Sequence, residues 1–569
     1  MNNLLSLPKI NLHIVGDSMA DTYTPEQYPL QGWGIFLKEH FSAEIKVCNY
    51  ARSGWSTKTF LTVGQNKNYP DKSYWEVIKN NFKEGDWLLV ALGVNDCSLV
   101  NEFRVSEEEY EKNLTLFVRD AKDRGVNVIF MTPAIKGGDD NSENGWEYIA
   151  PPDGVVMDDK IPMEQRWVRR SQVLINIGAK LGVPVIELGK YLSTYYEKLY
   201  QEYMTQNPDA TVTDGRNYVR YSFHRYNKCL NSDICDGGFG MDVPEFEDDS
   251  THLHVRGAKK YASIIAKLIS KTNTELAKYV LKDDVLPQKT LFIMGASKEA
   301  LVKKEPLFPL QGWGTFMADN VKNQLKVKNF STGGWSTQSY RTVGLHSDYP
   351  NETMWDVMKK EFKKGDWLLM TFGINDSSLT NSKRTTEEEF TQNIEFFTKE
   401  ARELGVNVLY MTVAINGGTD GSEDGWDYIL PPEGIPMDEN VPMYQRWVRR
   451  SKLFRDIGKR LNVPVVEFGK FLADYYEDMY QKYMTSHPEA TVAEGRNYVR
   501  YHFHIYTKNV KAPKDKGGWG IEAYNKPDDA THTNINAARE YAAIVSHLIA
   551  NKDIELSQYM ASLISIYNK

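Results

Sequence analysis

Short apolar runs alternate with longer amphipathic stretches along the first half of the chain. One of these runs, DWLLVALGVND, is almost continuously apolar between turn residues, which is typical of a strand buried on both faces of a sheet. We therefore predict five strands in this half, carried in chain order by INLHIVGDS, IKVCNYARSG, DWLLVALGVND, NVIFMTPAI and VPVIEL.

The stretches between these runs carry apolar residues at helical spacing. Strands that alternate with helices indicate an α/β fold with a parallel, doubly wound sheet, in which ligands bind at the carboxyl ends of the strands. The predicted core-facing residues are Leu114, Phe117, Val118 and Ala121 in NLTLFVRDAKDRG, and Ala258, Tyr261, Ala262, Ile265 and Ile269 in GAKKYASIIAKLIS.

The whole pattern occurs twice. PLQGWG begins at residue 29 and again at residue 309, and four further motifs recur at the same separation of 280 residues. Because this period is far longer than that of solenoid repeats, each copy is predicted to be a domain with its own core, residues 1–284 and 285–569. The other pairs are GWST (54–57 and 334–337), GDWLL (85–89 and 365–369), RWVRRS (166–171 and 446–451) and GRNYVRY (215–221 and 495–501).

Residues 192–248 of the first copy exceed what a minimal sheet domain needs. They begin with the helical pattern YLSTYYEKLYQEYM and continue as an aromatic-rich sequence. We predict that this continuation is an irregular insertion that could form a wall of the substrate site.

The composition and net charge indicate which classes of partner the chain is expected not to bind. The 569 residues include 41% hydrophobic and 25% charged residues and carry a net charge of −8, which argues against a nucleic-acid or anionic-membrane partner. No apolar run approaches the ~18 residues of a membrane span, and the N-terminal sequence lacks the basic start of a secretion signal. We expect no nucleic-acid or membrane partner and leave the oligomeric state open.

Four cysteines lie in the first copy and none in the second, so the repeated fold cannot depend on disulfides. The spacing of Cys229 and Cys235 suits a local bridge or half of a zinc site, but the second pair that a structural zinc needs is missing. We expect free thiols, no metal and no cofactor, and a reducing, cytoplasmic location.

Four short motifs fall where a parallel sheet would bring them together. In the first copy, Gly16-Asp17-Ser18 ends the first strand, Gly54 follows the second, Asn95 follows the third, and Asp249-Ser250-Thr251-His252 precedes the last helix. Each motif alone is a common turn sequence. Their joint order, repeated in the second copy, indicates a single site in each.

These residue types are the ones that ester hydrolysis by a serine requires. Ser18 is predicted to be the nucleophile, His252 the base that takes its proton, and Asp249 the group that holds the imidazole in the right tautomer. The N–H groups of Ser18 and Gly54 and the side-chain amide of Asn95 are predicted to bind the oxyanion. The second copy carries the same set, with Ser297, Asp529 and His532 as the triad and Ser297, Gly334 and Asn375 as oxyanion donors.

This set resembles the GDSL, or SGNH, hydrolase superfamily, whose four blocks contribute Ser, Gly, Asn and His. Within it, QGWG, NYARSGWST, GDWLLVALGVND and DDSTHLHVRGA make the chain most similar to the rhamnogalacturonan acetylesterase family, over roughly residues 9–190 and 245–270 and their counterparts. The resemblance implies two flavodoxin-like, three-layer domains, each with a five-stranded parallel sheet flanked by helices. It also implies removal of acetyl groups from pectic or other plant polysaccharides.

Members of that family usually carry Arg directly after the glycine of the second block, where this chain has Trp55 and Trp335. This departure leaves open whether the sugar is acidic. Because sugar faces stack on indole rings, these two tryptophans are expected to contact the substrate.

Other polar residues near the motifs have structural interpretations. His254 is a rival base, but its counterpart is Asn534, so we expect it at the surface or behind the site. His224 and His504 are expected to be structural histidines, with a place in the pocket as the alternative. The cluster Arg166, Arg169 and Arg170 is expected to be a solvated helix face, with contact to an acidic substrate as the alternative.

The second copy differs beside its serine. It reads Gly295-Ala296-Ser297-Lys298, where the first copy has Asp17 and Met19, and one residue is inserted between the serine and PLQGWG. A carboxylate in this turn can accept backbone N–H groups that an alanine leaves unpaired, at a cost of about 1–3 kcal/mol if they are buried. We therefore expect a weak but active second site.

The sequence thus predicts a cytoplasmic carbohydrate O-acetylesterase that uses a metal-free acyl-enzyme. Its predicted substrates are acetylated oligosaccharides from pectic or hemicellulosic polysaccharides. One alternative is a lipase or thioesterase of the same superfamily that acts on other short acyl esters. The other is a second copy that is a largely non-catalytic sugar-binding or scaffolding domain.

Overall fold

A computed structural model describes residues 9–24, 27–42, 44–152, 154–228, 248–282, 288–302, 309–322, 324–513 and 518–561. The chain divides into two compact units, Met1–Val285 and Leu286–Lys569, next to the boundary that the repeat predicts. Each unit contains a five-stranded parallel sheet flanked by helices, which confirms the predicted α/β fold class and its tandem arrangement.

The sheet of the first unit has the strand order β2-β1-β3-β4-β5, and all neighbours are parallel. Its strands are β1 (Ile10–Gly16), β2 (Ile45–Asn49), β3 (Trp87–Ala91), β4 (Asn127–Met131) and β5 (Val185–Ile186). The helices are α1 (Thr57–Leu61), α2 (Tyr74–Lys79), α3 (Glu107–Lys122), α4 (Met163–Leu181), α5 (Leu188–Gln206), α6 (Val212–Tyr221) and α7 (Val255–Ser270), and β6 (His224–Arg225) and β7 (Asp249–Leu253) form a separate antiparallel pair.

The second unit repeats this arrangement with the strand order β12-β11-β10-β8-β9, again with parallel neighbours. Its sheet strands are β8 (Lys289–Gly295), β9 (Leu325–Asn329), β10 (Trp367–Thr371), β11 (Asn407–Met411) and β12 (Val465–Val466). The helices are α8 (Met354–Lys359), α9 (Glu387–Glu403), α10 (Met443–Leu461), α11 (Phe468–Ser486), α12 (Val492–Phe503), α13 (Thr507–Lys511) and α14 (Ile535–Ala550), and the antiparallel pair is β13 (His504–Ile505) and β14 (Asp529–Thr533).

The predicted helix faces are buried. The α3 residues Leu114 and Phe117 pack with Leu88 and Val90 of β3 in one hydrophobic cluster, and the predicted face of α7 is buried along its whole length. The start of α3 is fixed by Ser106, whose Oγ accepts the N–H of Glu109 at 3.0 Å. Burial of apolar area on both faces of the central strands is the main stabilising contribution in such a sheet.

Residues 192–228 are more regular than predicted. The pattern YLSTYYEKLYQEYM lies in α5 as expected, but the following residues form α6 and β6 rather than an irregular segment. The Oγ1 of Thr211 accepts the N–H of Asp214 at 3.1 Å, and the Asp214 carboxylate accepts the N–H of Thr211 at 2.9 Å. This reciprocal cap, visible in the sequence as a Thr followed three residues later by an acid, is what starts α6.

The cysteines that the structure describes, Cys48 and Cys97, are free thiols. Cys229 and Cys235 fall within residues 229–247, outside the described residues. Among the helices of the described ranges, none has the length and apolarity needed to cross a membrane.

Candidate active site

The sheet topology brings the four motifs of each copy to one edge. In the first unit β1 lies between β2 and β3, so the residues that follow these strands, Ser18, Gly54 and Asn95, are neighbours. The strand β7, which carries the predicted acid and base, joins this edge because the Ser250 carbonyl accepts the N–H of Gly137 at 2.7 Å. The equivalent bond in the second unit runs from Gly417 to Ala530 at 2.8 Å.

The predicted acid and base of the first copy are in contact. His252 Nδ1 lies 2.7 Å from Asp249 Oδ2, and Asp249 Oδ1 accepts the N–H groups of Thr251 and His252 at 3.0 and 2.9 Å. Burial alone would raise the pKa of Asp249, but the bonds and charge of His252 and the N–H of Thr251 hold it well below its usual range. The carboxylate therefore stays ionised and can hold the imidazole in one tautomer.

In the second copy the whole triad is joined. His532 Nδ1 lies 2.6 Å from Asp529 Oδ2, and His532 Nε2 lies 2.7 Å from Ser297 Oγ. The pKa of Asp529 is lowered to about 2, because the bonds and charge of His532 outweigh the effect of burial. In the described part of the first copy, no hydrogen bond of this kind joins Ser18 to His252. Catalytic hydrogen bonds in unliganded sites are often long, so this difference does not remove Ser18 from the site.

The predicted oxyanion glycines have a backbone conformation that favours glycine. Gly54 has φ +76° and Gly334 has φ +78°, both in the left-handed region. A Cβ built at either position would meet no atom within 4 Å, so the space in front of these glycines is open. The strained conformation, rather than crowding, explains the glycine in this motif.

The predicted oxyanion amides are held by the loop after the second strand. Asn95 Nδ2 donates to the Trp55 carbonyl at 3.0 Å, and Asn375 Nδ2 donates to the Trp335 carbonyl at 2.9 Å. Because a side-chain amide has two N–H groups, one remains for a ligand. The Gly54 carbonyl is fixed in turn by Asn101 Nδ2 at 2.7 Å.

The two tryptophans of the second motif are packed into aromatic clusters. The Trp55 ring is half-buried, with its centroid 5.0 Å from Phe60 and 5.6 Å from Tyr74. Trp335 is only 9% exposed and packs on Tyr340 at 5.1 Å. Burial therefore leaves little of the Trp335 ring for the expected substrate contact, whereas for Trp55 that contact stays a prediction.

His254 lies behind the site and not at the surface. It caps α7, with Nδ1 accepting the N–H of Gly257 at 3.0 Å and Nε2 donating to the Tyr221 carbonyl at 2.8 Å. Burial lowers its pKa well below the usual range, so the ring is neutral. The Oδ1 of Asn534 makes the same cap in the second copy, to the N–H of Ala537 at 3.0 Å.

His224 and His504 are buried beneath the triad strands. His224 Nε2 lies 3.0 Å from the hydroxyl of Tyr196, and His504 Nε2 lies 3.0 Å from that of Tyr476. Burial lowers their pKa values to about 4 and about 3, respectively. His504 Nδ1 also lies 3.0 Å from the carbonyl oxygen of His532, so these histidines support the triad strand from below.

The expectation of a solvated arginine face is wrong for Arg166 and Arg170, which are buried. Arg166 donates to the Cys97 carbonyl at 2.8 Å, and Arg170 donates to the carbonyls of Asp96 and Val105 at 3.2 and 3.0 Å. These carbonyls belong to the loop that begins at Asn95. Only Arg169 fits the expectation, with a half-exposed ion pair to Glu107 at 2.9 Å.

Asp96, directly after Asn95 of the third motif, is hydrogen-bonded to Thr57 of the second motif. Its Oδ1 accepts the Thr57 N–H at 2.9 Å and the Thr57 hydroxyl at 2.5 Å, and burial raises its pKa to about 6. Asp376 and Thr337 repeat the contact at 3.0 and 2.6 Å. The sequence did not predict a role for Asp96 and placed Arg170 on a solvated face, although both residues stand in repeated motifs.

The nucleophile turns of the two copies use different carboxylates. Asp17 Oδ1 accepts the N–H of Met19 at 3.0 Å, and burial raises the pKa of Asp17 to about 7. In the second copy Glu299 Oε2 accepts the N–H of Ala296 at 2.9 Å. Glu299 therefore gives the second turn a carboxylate acceptor from three residues further on, but for a different N–H: Asp17 accepts that of Met19, whereas Glu299 accepts that of Ala296.

The first unit contains a cavity of about 640 Å³, and none of the residues that line it belongs to the predicted triad or oxyanion donors. In the second copy Lys298, directly after Ser297, contacts the Trp447 ring and the Ile415 carbonyl. The counterparts of these two residues, Trp167 and Ile135, line the cavity of the first unit. Its other lining residues include Lys136, Asp139, Glu143, Trp146, Glu147 and Arg216.

The charge of this cavity is negative. Lys136 pairs with Glu164 at 3.1 Å and Arg216 pairs with Glu197 at 2.5 Å, so both cations are neutralised. Within the described residues, Asp139, Glu143 and Glu147 make no ion pair. The search for metal sites in the same residues finds no group of three or more His, Cys, Asp or Glu side chains that could hold an ion.

The chain is similar to known esterases. The sequence profile of the GDSL-like lipase/acylhydrolase family matches residues 12–265 and 291–545. The probable rhamnogalacturonan acetylesterase YesY of Bacillus subtilis (strain 168) is 24% identical over 275 residues, which cover 48% of this chain and 98% of that protein. The rhamnogalacturonan acetylesterase RhgT of the same organism is 23% identical over 272 residues, which cover 48% and 94%.

Solved structures match more weakly. Protein YxiM of Bacillus subtilis has a TM-score of 0.31 and 17% identity, with 49% of this chain and 60% of that chain covered. Axe2, an acetylxylan esterase from Geobacillus stearothermophilus, has a TM-score of 0.24 and 14% identity, with 34% and 81% covered.

Proposed function

Because the chain belongs to the GDSL-like lipase/acylhydrolase family and is a serine esterase, we propose that it removes acetyl groups from oligosaccharides derived from plant polysaccharides. One observation carries the proposal: Ser297, His532 and Asp529 are joined by hydrogen bonds of 2.7 and 2.6 Å. The two relatives covered over nearly their whole length are named as rhamnogalacturonan acetylesterases, one of them as probable. Those names support an acetylated glycan as the substrate.

The proposed reaction has two halves. Ser297 Oγ attacks the acetyl carbonyl while His532 Nε2 takes the serine proton, and the protonated imidazole then gives that proton to the departing sugar oxygen. A water molecule next attacks the acyl-serine ester while His532 takes its proton, and the imidazole then gives that proton to Ser297 Oγ as the acyl–oxygen bond breaks, so that acetate leaves and the serine is restored. Ser18, His252 and Asp249 are proposed to act in the same way in the first copy.

The oxyanion of each tetrahedral intermediate requires donors that are already in place. We propose the N–H groups of Ser297 and Gly334 and the free N–H of the Asn375 amide for this role in the second copy, and those of Ser18, Gly54 and Asn95 in the first. Each such donor is typically worth ~10²–10³ in rate. The bond from Asn375 to the Trp335 carbonyl supports this assignment because it fixes the amide before substrate binds.

We propose that the cavity of the first unit holds the sugar part of the substrate. Its lining is rich in polar and charged side chains, such as Lys136, Asp139 and Glu143, which suit the hydroxyl groups of a sugar. A long acyl chain would instead need an apolar cleft. The polar lining therefore favours an acetylated sugar over a long-chain ester, whereas a lipase or thioesterase that acts on other short acyl esters stays an alternative.

The second alternative, a non-catalytic second copy, is disfavoured by the joined triad of that copy. A sugar-binding domain would have no need of a serine within hydrogen-bond distance of a histidine. We also propose that the protein acts in the cytoplasm, because Cys48 and Cys97 are free thiols, and that it binds neither nucleic acid nor membranes, because its net charge is −8.

The test is acetate release from a panel of acetylated xylo-, galacturono- and rhamnogalacturono-oligosaccharides, together with aryl esters of increasing acyl length. The proposal expects glycan deacetylation and a sharp fall in aryl-ester rate beyond two carbons. The Ser18→Ala, Ser297→Ala double variant is the control for contaminating esterase. Rates that rise with chain length, with no acetate released from any glycan, would favour the lipase or thioesterase.

A further inference from the structure

The two residues after Ser297 form a buried cluster of charged groups that the first copy lacks. Lys298 is 1% exposed and Glu299 is 4% exposed. Their counterparts are Met19 and Ala20, as shared contacts demonstrate. The Met19 carbonyl accepts the backbone N–H of Trp33, and the Lys298 carbonyl accepts that of Trp313. In the same way the Ala20 carbonyl accepts the side-chain N–H of Asn49, and the Glu299 carbonyl accepts that of Asn329.

The Glu299 carboxylate is bonded to three groups around the nucleophile turn. Its Oε2 accepts the Ala296 N–H at 2.9 Å, and its Oε1 accepts the Trp313 indole N–H at 3.2 Å and the Thr371 hydroxyl at 3.3 Å. Burial raises its pKa. A buried carboxylate is costly unless it is hydrogen-bonded, and here the bonds hold the start of the turn to the end of β10.

Lys298 ties the same turn to the strand of the triad. Its Nζ donates to the Ile415 carbonyl at 2.6 Å and lies 5.1 Å from the centre of the Trp447 ring. Two residues beyond Ile415, Gly417 donates to the Ala530 carbonyl at 2.8 Å, within the strand that carries Asp529 and His532. Burial lowers the pKa of Lys298 to about 7, against the opposing charges of Glu299 and Asp529.

We propose that Glu299 and Lys298 are positioning residues of the second active site, which hold Ser297 within reach of His532. In the first copy the carboxylate of the turn is Asp17, which accepts a different N–H, that of Met19. The proposal rests on the proposed esterase activity of Ser297. The Ala296 N–H belongs to the peptide unit directly before that of the serine, so its bond to Glu299 sets the direction in which the Ser297 backbone N–H and Oγ point. Lys298 then sets the distance between this turn and β14.

The experiment uses the full chain with Ser18→Ala, so that only the second site turns over. Glu299→Ala is expected to lower kcat for acetate release by about tenfold or more, with KM changed by less than about twofold, because the turn loses its acceptor but the sugar contacts stay. Lys298→Met is expected to give a smaller fall in the same direction. The rate at which a fluorophosphonate labels Ser297 should fall in parallel with kcat.

Rescue separates positioning from a purely structural role. The triple variant Ala296→Asp, Lys298→Met, Glu299→Ala rebuilds the Gly-Asp-Ser-Met-Ala turn of the first copy and is expected to recover kcat to within about threefold of the parent. The matched control is Glu400→Ala. Glu400 also accepts an indole N–H, from Trp355 at 2.7 Å, and pairs with Lys359 at 2.8 Å, but it lies on α9, outside the motif loops.

The outcomes are distinct. An unchanged kcat in Glu299→Ala and Lys298→Met would overturn the positioning proposal while leaving the esterase proposal intact. A Ser18→Ala parent that neither reacts with fluorophosphonate nor releases acetate would overturn both for this copy. If Glu299→Ala does not fold, the triple variant decides, since a folded triple variant without recovered kcat contradicts the exchange of carboxylates.

Discussion

The imidazole of His532 lies in hydrogen-bond contact with the hydroxyl of Ser297, with 2.7 Å between Nε2 and Oγ. The second copy therefore holds base and nucleophile together before substrate binds. The weak but active second site expected from Ala296 stays a prediction, since Glu299 brings a carboxylate into the turn but accepts the Ala296 N–H rather than the counterpart of the Met19 N–H. We expect both copies to turn over.

Removal of each serine in turn tests this expectation. Ser18→Ala and Ser297→Ala should each retain measurable acetate release, and the double variant should lose at least about 10³-fold, because no nucleophile remains. A fluorophosphonate probe should label each single variant once and the double variant not at all. Labelling that persists in the double variant would place the nucleophile elsewhere.

Asp17→Asn should stabilise the first unit at high pH. The folded-state pKa of Asp17 is raised from 3.8 to about 7, so the folded protein holds this proton more tightly than the unfolded chain does. Stability is therefore lost as pH rises from about 4 to about 7. Asparagine still accepts the Met19 N–H without carrying the charge, and a gain on the order of 1–4 kcal/mol is expected at pH 8, with little at pH 4.

Hydrogen exchange of peptides from β1 and β3 measures this gain, with the same strands of the second unit as the internal control. The control is apt because Ala296 carries no charge at this position. An equal gain at pH 4 and pH 8 would show that the buried charge is not the cause.

Chelation should leave the activity intact. The proposed mechanism takes its nucleophile, base and oxyanion donors from side chains and backbone, and the described residues contain no cluster of three potential metal ligands. Acetate release after dialysis against EDTA should match that of the untreated protein. Loss of activity that a divalent ion restores would contradict the mechanism.

Arg170→Leu should destabilise the first unit and slow its reaction. The buried guanidinium donates to the Asp96 and Val105 carbonyls, which lose their partner in the variant. A cost of at least about 2 kcal/mol is expected, with a fall in kcat because the loop that carries Asn95 is released. Both are measured with Ser297→Ala, by denaturant unfolding and by acetate release.

Arg169→Leu is the matched control for this variant. Arg169 makes a half-exposed ion pair with Glu107, so its loss should cost less than about 1 kcal/mol and leave kcat unchanged. Equal effects of the two substitutions would mean that Arg170 has no special part in holding the loop.

The cavity charge predicts a preference among glycans. With Asp139, Glu143 and Glu147 unneutralised among the described residues, a galacturonate-bearing chain should be repelled relative to a neutral xylo-oligosaccharide. Glu143→Gln, Glu147→Gln in a Ser297→Ala background should raise kcat/KM for the acidic substrate and leave that for the neutral one. The preference should weaken in 0.5 M salt, where exposed charges are screened. A salt-independent preference would indicate a steric cause.

Much of the fold follows from local pattern. The five strands of the first unit and the faces of α3 and α7 are where apolar periodicity places them, and the repeat extends them to the second unit. The first three motifs lie at one edge because parallel strands share one carboxyl edge, whereas the fourth, on β7 outside the parallel sheet, is joined to it through the bond from Gly137 to Ser250. That rule depends only on strand order and direction, so it can be applied without coordinates.

Hydrogen bonds from side chains to distant backbone groups could not be predicted from the sequence. Arg170 is buried because the carbonyls of Asp96 and Val105 face it, and a carbonyl has no signature in the sequence. Glu299 was not predicted for a related reason. Its partner is the N–H of Ala296, three residues back, whereas the carboxylate of the first copy, Asp17, stands at the position aligned with Ala296. The cap at Thr211, in contrast, has a signature in the sequence, a Thr followed three residues later by an acid.

The different carboxylates of the two nucleophile turns constrain how the halves can evolve. An aspartate at position 296 beside Glu299 would bury two like charges in one turn, and an alanine at 299 beside Ala296 would leave an amide, an indole and a hydroxyl without an acceptor. Each of these substitutions made alone is therefore expected to lower fitness. Recombination between the halves should be tolerated when it exchanges the whole turn as a block. It should be selected against when its breakpoint falls inside the turn. The two turns would then stay distinct while the triads around them remain interchangeable.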